Sequence, residues 1–436
     1  MTTLWKKSGP SQHPAVSNYI ISPECAEDKL LLEYDLQASL AHSQMLHHVG
    51  LINAKELKLL TQGLKKIQEL NHDGNFTWDR SDEDSHTAIE NHLTHHYGEV
   101  GKKIHMGRSR NDQVLVMTRL FSRGKISTIQ GILLSTTHTL LQFAKQHEFI
   151  PMPGYTHTQQ AMPSSVGQWA GSFVESLLDD YALLESAHSL NDQNPLGSAA
   201  GFGTSLPLDR DFTTQALGFK RTQINALYCQ NSRGKIESFT ISALFQVMLT
   251  LGKIANDLIW FMSKEFDFFT LDAALTTGSS IMPQKKNFDI LEVLRANVSS
   301  IFANQVELQM VGHNLISGYH KDLKITKKGL IESFKIVEES LKMIILVFQH
   351  LKPNPEKLEQ SFSVEIFATD QVNALVQQGV PFRAAYQSVA EQLHTLKKPD
   401  ILGNISSKKH VGATGNLCLK KYARQIKELK IRINRL

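Results

Sequence analysis

The residues best suited to chemistry lie in one stretch, Gly278-Ser279-Ser280-Ile281-Met282-Pro283-Gln284-Lys285-Lys286-Asn287-Phe288-Asp289-Ile290-Leu291-Glu292. A glycine and two hydroxyls open it, and two lysines and an asparagine follow just ahead of an apolar-periodic run that reads as a helix. A polar loop feeding a helix start can hold an anion, because its free backbone N–H groups and the helix dipole both favour negative charge. A serine there can do more. Its hydroxyl is a poor base at its free pKa, but a nearby cation and oriented donors can stabilise the alkoxide enough for it to take a proton. The structural alternative is a solvated Ser/Lys loop.

Three further stretches carry groups of the same kind. In Gly107-Arg108-Ser109-Arg110-Asn111-Asp112-Gln113-Val114, Ser109, Asn111 and Asp112 are helix N-cap types, so a plain cap explains them. The two arginines add guanidinium groups, which suit bidentate carboxylate recognition. Prolines fence Met152-Pro153-Gly154-Tyr155-Thr156-His157-Thr158-Gln159-Gln160-Ala161-Met162-Pro163, which reads as a rigid loop. His157 held there could act as an acid or base near neutral pH. Ser165 and Gln168 form a capping-box pattern for the next helix. In Tyr319-His320-Lys321-Asp322-Leu323-Lys324-Ile325-Thr326-Lys327, three lysines stand at the spacing of a solvated helix face. Together these segments suit a polyanionic small molecule and proton transfer beside a carboxylate. Removing that proton builds charge on the carboxylate, which fixed cations and N–H donors stabilise most in the transition state.

GSSIMPQKKN resembles the signature of the fumarase/aspartase superfamily in the form found in argininosuccinate lyases. The resemblance implies that Ser279 is the proton-transfer group. Lys285 then stabilises the carboxylate on which charge builds, Asn287 helps to bind it, and Glu292 pairs with a histidine from another segment. GRSRNDQV and PGYTH resemble two more motifs of that family. They make Arg110, Asn111 and Thr156 substrate contacts and His157 the partner of Glu292, and Gln159 matches the glutamine of the run that follows. The segment from Tyr319 resembles the family's Y-N-K-D-x-Q-E-D-K, which places Tyr319, Lys327 and, in place of glutamine, Lys324 at the amino-acid end of the substrate. No cofactor and no metal are implied. The reaction expected is β-elimination of argininosuccinate to arginine and fumarate, with the donor to the leaving nitrogen left open. The fold expected is all-α, in three parts at 1–110, 111–352 and 353–436. A homotetramer with composite sites is also expected.

Long helices must position these loops. The steps Leu244, Met248, Leu251, Ala255, Leu258, Met262 mark one, and Leu330, Phe334, Val337, Leu341, Ile344, Phe348, Leu351 mark another. Residues 111–147, 165–190 and 290–311 give three more, and 28–51 a further one towards the N-terminus. Helices of about 25 residues are about 37 Å long, so a bundle is the natural solution. Phe245, Leu249, Trp260 and Phe261 lie off the main stripe, which predicts burial between subunits.

Composition sets the outer limits. At 436 residues the chain exceeds one core, and three scattered cysteines without a CxxC pair argue against a disulfide framework or zinc ribbon and for a reducing cytoplasm. No apolar run approaches the ~20 residues needed to cross a bilayer, so no membrane role is expected. Net charge is +4, yet residues 397–436 hold eleven Lys/Arg against two acids. That tail could touch nucleic acid, but Tyr422 is its only aromatic, which favours a solvated helix face or a subunit contact. The histidine-rich stretch Asp82-Glu83-Asp84-Ser85-His86 through Glu90, His92, His95 and His96 lacks HExxH and reads as a surface helix. It resembles the family's D-E-D-x-H-x-x-x-E segment. The glycine-rich stretch 194–210 lacks GxGxxG, is not expected to sit between a strand and a helix, and reads as a loop rather than a dinucleotide site.

The sharpest departure from the family is Tyr228-Cys229-Gln230-Asn231-Ser232-Arg233-Gly234, where an aspartate-rich D-x-V-S-D-R-D run is usual and only the arginine remains. It keeps open another fumarate-releasing lyase with a different amine leaving group. A non-catalytic structural relative is a further alternative, against which the intact Ser279, Lys285, His157 and Glu292 speak.

Overall fold

The structure is a computed structural model that describes residues 13, 15–16, 19, 24–78, 82 and 84–433. Most of the opening residues and Glu83 of the acidic segment lie outside the described residues. The principal helices are α1 (Glu24–His48), α2 (Ala54–His72), α3 (Ser85–Tyr97), α4 (Arg110–Gln146), α5 (Val166–Asn191), α6 (Lys235–Phe261), α7 (Asp289–Val311), α8 (Thr326–His350) and α9 (Leu419–Ile433). The described strands form three two-stranded sheets: the hairpin Pro151–Thr156/Gln159–Ser165, the parallel pair Gln193–Asn194/Arg221–Thr222 and the antiparallel pair Phe269–Leu271/Leu351–Pro353.

The chain forms two compact units, each assembled from three stretches. One comprises 1–128, 184–244 and 302–335; the other comprises 129–183, 245–301 and 336–436. Each of α4 to α8 contributes part of its length to either unit.

In the first unit, Leu32, Leu36 and Leu46 of α1 pack with Leu60 and Ile67 of α2 and Ile89 and Leu93 of α3. Asn53 closes a capping box on α2, its Oδ1 accepting from the N–H groups of Lys55 and Glu56 while Glu56 accepts from the N–H of Asn53. Asp84 caps α3 through the N–H of Thr87, at 2.8 Å. Burial sorts the histidines of α3: His86 faces inward with Ile89 and Leu93, whereas His95 and His96 are exposed.

In the second unit the aromatic core is built on Trp169, whose indole N–H donates to Asp257 at 3.0 Å and whose ring stacks on Phe348. Helices α6 and α7 approach closely at Gly252, where a Cβ would come within 2.7 Å of the Val298 side chain. The heptad residues of α8 are all buried, as are the stripe residues of α6 from Leu244 to Met262. Burial of that kind, not helix propensity alone, holds such helices in place.

Three expectations need correction. The stretch 152–163 is a β-hairpin rather than an irregular loop; Pro153 and Pro163 face each other in it, which a two-stranded ribbon tolerates because each strand has a free edge. The glycine-rich stretch is bounded by the short strand Gln193–Asn194 and the helix Arg210–Ala216, although it remains a loop between them. One segment, Ala226–Phe261, is after all long and apolar enough to span a bilayer by length and composition, but 56% of its apolar window is buried in the chain's own core. The basic tail forms α9, which buries Leu419, Ile426 and Leu429 and exposes Lys420, Lys421 and Arg424; Tyr422 donates to Glu175 at 3.0 Å.

Candidate active site

The signature loop leaves the strand Phe269–Leu271 and closes on itself. Thr277 and Asn287 exchange backbone hydrogen bonds of 3.1 and 2.9 Å at its neck. The Thr277 hydroxyl donates to Asp289 at 2.5 Å, and the Asn287 amide donates to the Gly278 carbonyl at 3.3 Å. Within the loop, Ser279 Oγ accepts from the N–H groups of Met282 at 3.1 Å and Ile281 at 3.4 Å. Two donors aimed at one hydroxyl oxygen favour its anionic form, the condition a serine base requires. The Lys285 N–H donates to the Met282 carbonyl at 3.0 Å, which turns the chain so that both residues belong to one compact loop. A cleft of about 580 Å³ beside it is lined by Phe269, Thr270, Met282, Lys285 and Phe288. Glu292 lies in the first turn of α7 and is exposed, as is Lys285.

His157 sits at the tip of the hairpin. His157 and Thr158 form its two-residue turn with φ of 51° and 60°, the left-handed pair that a tight hairpin requires and that Asn-Gly usually fills. A β-branched threonine there is strained. The hairpin is pinned from behind by Gln160, which donates to the Ser361 carbonyl at 2.5 Å and accepts from the Ser363 N–H at 3.0 Å. The next helix starts as its capping pattern implies, with Ser165 Oγ accepting from the Gln168 N–H at 3.1 Å. The Gln168 side chain, however, accepts from the Ser164 hydroxyl at 2.7 Å instead of closing the box. Thr156, His157 and Gln159 are exposed. Among the described residues of this chain, the side chains of His157 and Glu292 make no hydrogen bond or ion pair with each other or with Ser279.

The first unit holds the remaining groups in a different state. Arg108 is buried and donates to Ser39 Oγ and the Ile104 carbonyl, so it serves the fold. Ser109 caps α4: its Oγ accepts from the Asn111 N–H at 3.2 Å and its own N–H donates to Asp112 Oδ1 at 2.9 Å, while the other oxygen of Asp112 accepts from the N–H groups of Gly197 and Ala199. Burial pushes the Asp112 carboxyl up to about 6 against those donors. Arg110 contacts Asp84 at 3.2 Å and donates to Thr87 Oγ1 at 2.9 Å. Asn111 follows it, half-buried. Lys327 is buried in an ion pair with Asp28. Tyr319 is half-buried beneath the Arg233 guanidinium, 5.0 Å from its ring centroid, and Lys324 lies in the 3-10 turn leading into α8.

A charge cluster that sequence reasoning missed connects these groups. His86 makes a 2.5 Å ion pair with Asp35, both wholly buried, and Ser85 donates to the same carboxylate at 2.6 Å. Burial alone would lower the His86 pKa, but Asp35, Asp84 and Asp28 together raise it above its ordinary value. Burial would conversely raise Asp35 and Asp84, yet His86 holds both below the usual carboxylate range, with help from Arg108 and Arg110 respectively. Arg110 thus reaches Lys327 through a chain of charges: Asp84, His86 and Asp28. The only signal in the sequence was the D-E-D-x-H segment itself.

Comparison with known proteins decides what these motifs belong to. Residues 17–303 match a family described as lyase. The argininosuccinate lyase of Thermotoga neapolitana is 40% identical over 389 residues, covering 89% of this chain and 98% of that one. The argininosuccinate lyase of Sorangium cellulosum is 39% identical over 423 residues, covering 97% and 98%. The chain belongs to the argininosuccinate lyase family. Family membership makes it a carbon–nitrogen lyase. Solved structures agree on the fold: an EDDS lyase in complex with formate superposes with a TM-score of 0.82 at 22% identity, covering 98% of this chain and 91% of that one. The class II fumarase of Schistosoma mansoni gives 0.71 at 17% identity, covering 85% and 90%. The all-α fold expected of the fumarase/aspartase superfamily is therefore the fold observed.

Proposed function

We propose that the chain eliminates fumarate from argininosuccinate, releasing arginine, and that Ser279 removes the proton. The observation that carries this reading is the Ser279 loop, in which two backbone N–H groups converge on the hydroxyl oxygen and Lys285 shares the same tight turn. Ser279 takes the proton from the carbon beside the succinyl carboxylate. Lys285 and Asn287 stabilise the charge that accumulates on that carboxylate, and the C–N bond then breaks with its electron pair leaving on the guanidino nitrogen. His157 with Glu292 assists proton transfer towards that nitrogen, so that arginine leaves with its guanidinium protonated and fumarate leaves as the dianion. Arg110, Asn111, Thr156, Gln159, Tyr319, Lys324 and Lys327 hold the substrate.

The reading includes a homotetramer with sites shared between chains. Ser279 is only half-buried and Lys285, His157 and Glu292 are open to solvent in the single chain, whereas proton transfer beside a carboxylate needs a site from which water is excluded. Exposed apolar side chains at Leu249 and Trp260 of α6 and at Val293 and Met310 of α7 supply surface for such assembly. The division near residues 110 and 352 fits the start of α4 at Arg110 and the end of α8 at His350. A reducing cytoplasm fits the free thiols of Cys229 and Cys418.

The test is ultraviolet detection of fumarate with argininosuccinate, aspartate and adenylosuccinate offered separately. Turnover of the first alone is expected, and turnover of either other substrate in its place would reject the assignment.

A further inference from the structure

The segment 228–234, where this chain departs from its family's aspartate-rich run, faces the segment that carries Tyr319. Asn231 ends the short helix Ala226–Asn231 and clamps that segment with both ends of its side chain. Its Oδ1 accepts from the Gly318 N–H at 2.8 Å, and its Nδ2 donates to Ser317 Oγ at 3.3 Å. Gly318 has φ of 112°, a conformation that side-chain-bearing residues rarely adopt, so the turn that brings its N–H to Asn231 requires glycine. On the other side of the turn His320 Nε2 lies 3.1 Å from the Ile316 carbonyl. Two residues beyond Asn231, the buried Arg233 guanidinium covers the Tyr319 ring. Ser232 between them is fixed as well: its Oγ accepts from Arg119 and Gln223, each at 3.0 Å, and donates to the Cys229 carbonyl at 2.8 Å. Asn231 and Arg233 therefore project from a well-held turn onto the two residues before Tyr319 and onto Tyr319 itself. A cavity of about 350 Å³ is lined by Asn231 and Arg233 on one side and by Ser317, Gly318 and Leu323 on the other.

We propose that Asn231 is a positioning residue for substrate binding: it holds Ser317 and Gly318 so that Tyr319 is presented beneath Arg233. The proposal rests on the reading of Tyr319 as a contact for the amino-acid end of argininosuccinate. It assigns to the altered loop a role in binding that end, in place of the carboxylates the loop has lost.

The test compares Asn231→Leu and Asn231→Asp in the full-length assembled protein. Leucine keeps the bulk and removes both hydrogen bonds. Aspartate can restore both, accepting from the Gly318 N–H and from the Ser317 hydroxyl. Two solvent-accessible hydrogen bonds are worth roughly five- to tenfold in binding, so Asn231→Leu should raise KM for argininosuccinate by about that factor with kcat within about twofold. Hydrogen exchange across residues 313–322 should accelerate in the same variant, and Asn231→Asp should restore both readouts. Unchanged KM and exchange in Asn231→Leu would overturn the proposal, as would a fall in kcat with Asn231→Asp no better than Asn231→Leu. If the unmodified protein fails to turn over argininosuccinate, the functional reading falls, and the exchange measurement still decides whether Asn231 holds the segment.

Discussion

The groups proposed to bind substrate in the first unit and those proposed to transfer protons in the second are built in opposite ways. Around His86 each charge finds a partner in the same chain: Asp35, Asp84 and Asp28 converge on the imidazole, and Arg110 and Lys327 pair with the outer two carboxylates. Around Ser279 the backbone is tightly closed, but Lys285, Glu292 and His157 extend into solvent without an ion pair among the described residues of this chain. Charges that must keep one geometry are buried and neutralised at the outset. The groups proposed to change protonation stay open, as the proposed sharing of sites between chains requires.

The largest expected effect breaks the second region. Ser279→Ala should lower kcat by about a thousandfold or more without changing the sedimentation of the protein, as measured by fumarate release and ultracentrifugation. His157→Asn should be similarly poor. If the two groups meet only across chains, refolding the two inactive variants together should recover measurable activity, and none would indicate a site completed by each chain for itself.

The next effect breaks the first region. Lys327→Met leaves the Asp28 carboxylate buried without its cation, and should cost roughly 3–5 kcal/mol in denaturant unfolding. Asp28→Leu combined with it should recover most of that loss, because removing both charges also removes the desolvation penalty.

Acidity separates the regions further. The folded His86 pKa lies above its unfolded value, so its contribution to stability is fully present below about pH 6.5 and is lost as pH rises through the raised folded value. Asp35 and Asp84 are depressed, so theirs is present above about pH 4 and lost as pH falls through their lowered values. Stability should therefore be greatest in mildly acidic solution and decline on both sides. In His86→Gln the decline on the alkaline side should flatten, at the cost of lower stability near pH 6. A thermal melt series across pH checks both limbs.

The smallest effect lies in the hairpin turn. Thr158→Gly removes a side chain from a left-handed position and should stabilise the chain by about 1 kcal/mol, while His157 keeps its place at the tip. A rise in melting temperature with retained turnover is the expected result.

Much of the fold could be read from the sequence because long amphipathic helices carry their own period. The heptad from Leu330 to Leu351 and the stripe from Leu244 to Met262 are buried as their spacing required. The hairpin escaped that reading, since prolines at 151, 153 and 163 mask strand character, and a register that pairs Pro153 with Pro163 becomes visible only when both strands are seen. The motifs singled out Ser279, Lys285, Arg110 and Lys327; a solvated helix face was the alternative for Lys327, and the structure instead buries it against Asp28, 299 residues away in the chain. Asn231 carried no local signal at all, because its partners lie 86 and 87 residues further on.

By itself, then, the sequence determined which segments become helices, which loops bear reactive groups and to which family the motifs belong. These properties are encoded within a few turns of chain, where side-chain type and spacing act directly on the local backbone. The tertiary structure alone decided which charges are neutralised and which stay open. Desolvation and Coulomb attraction depend on distance through space, so the pairing of Asp28 with Lys327 or of Asp35 with His86 exists only once the helices have packed.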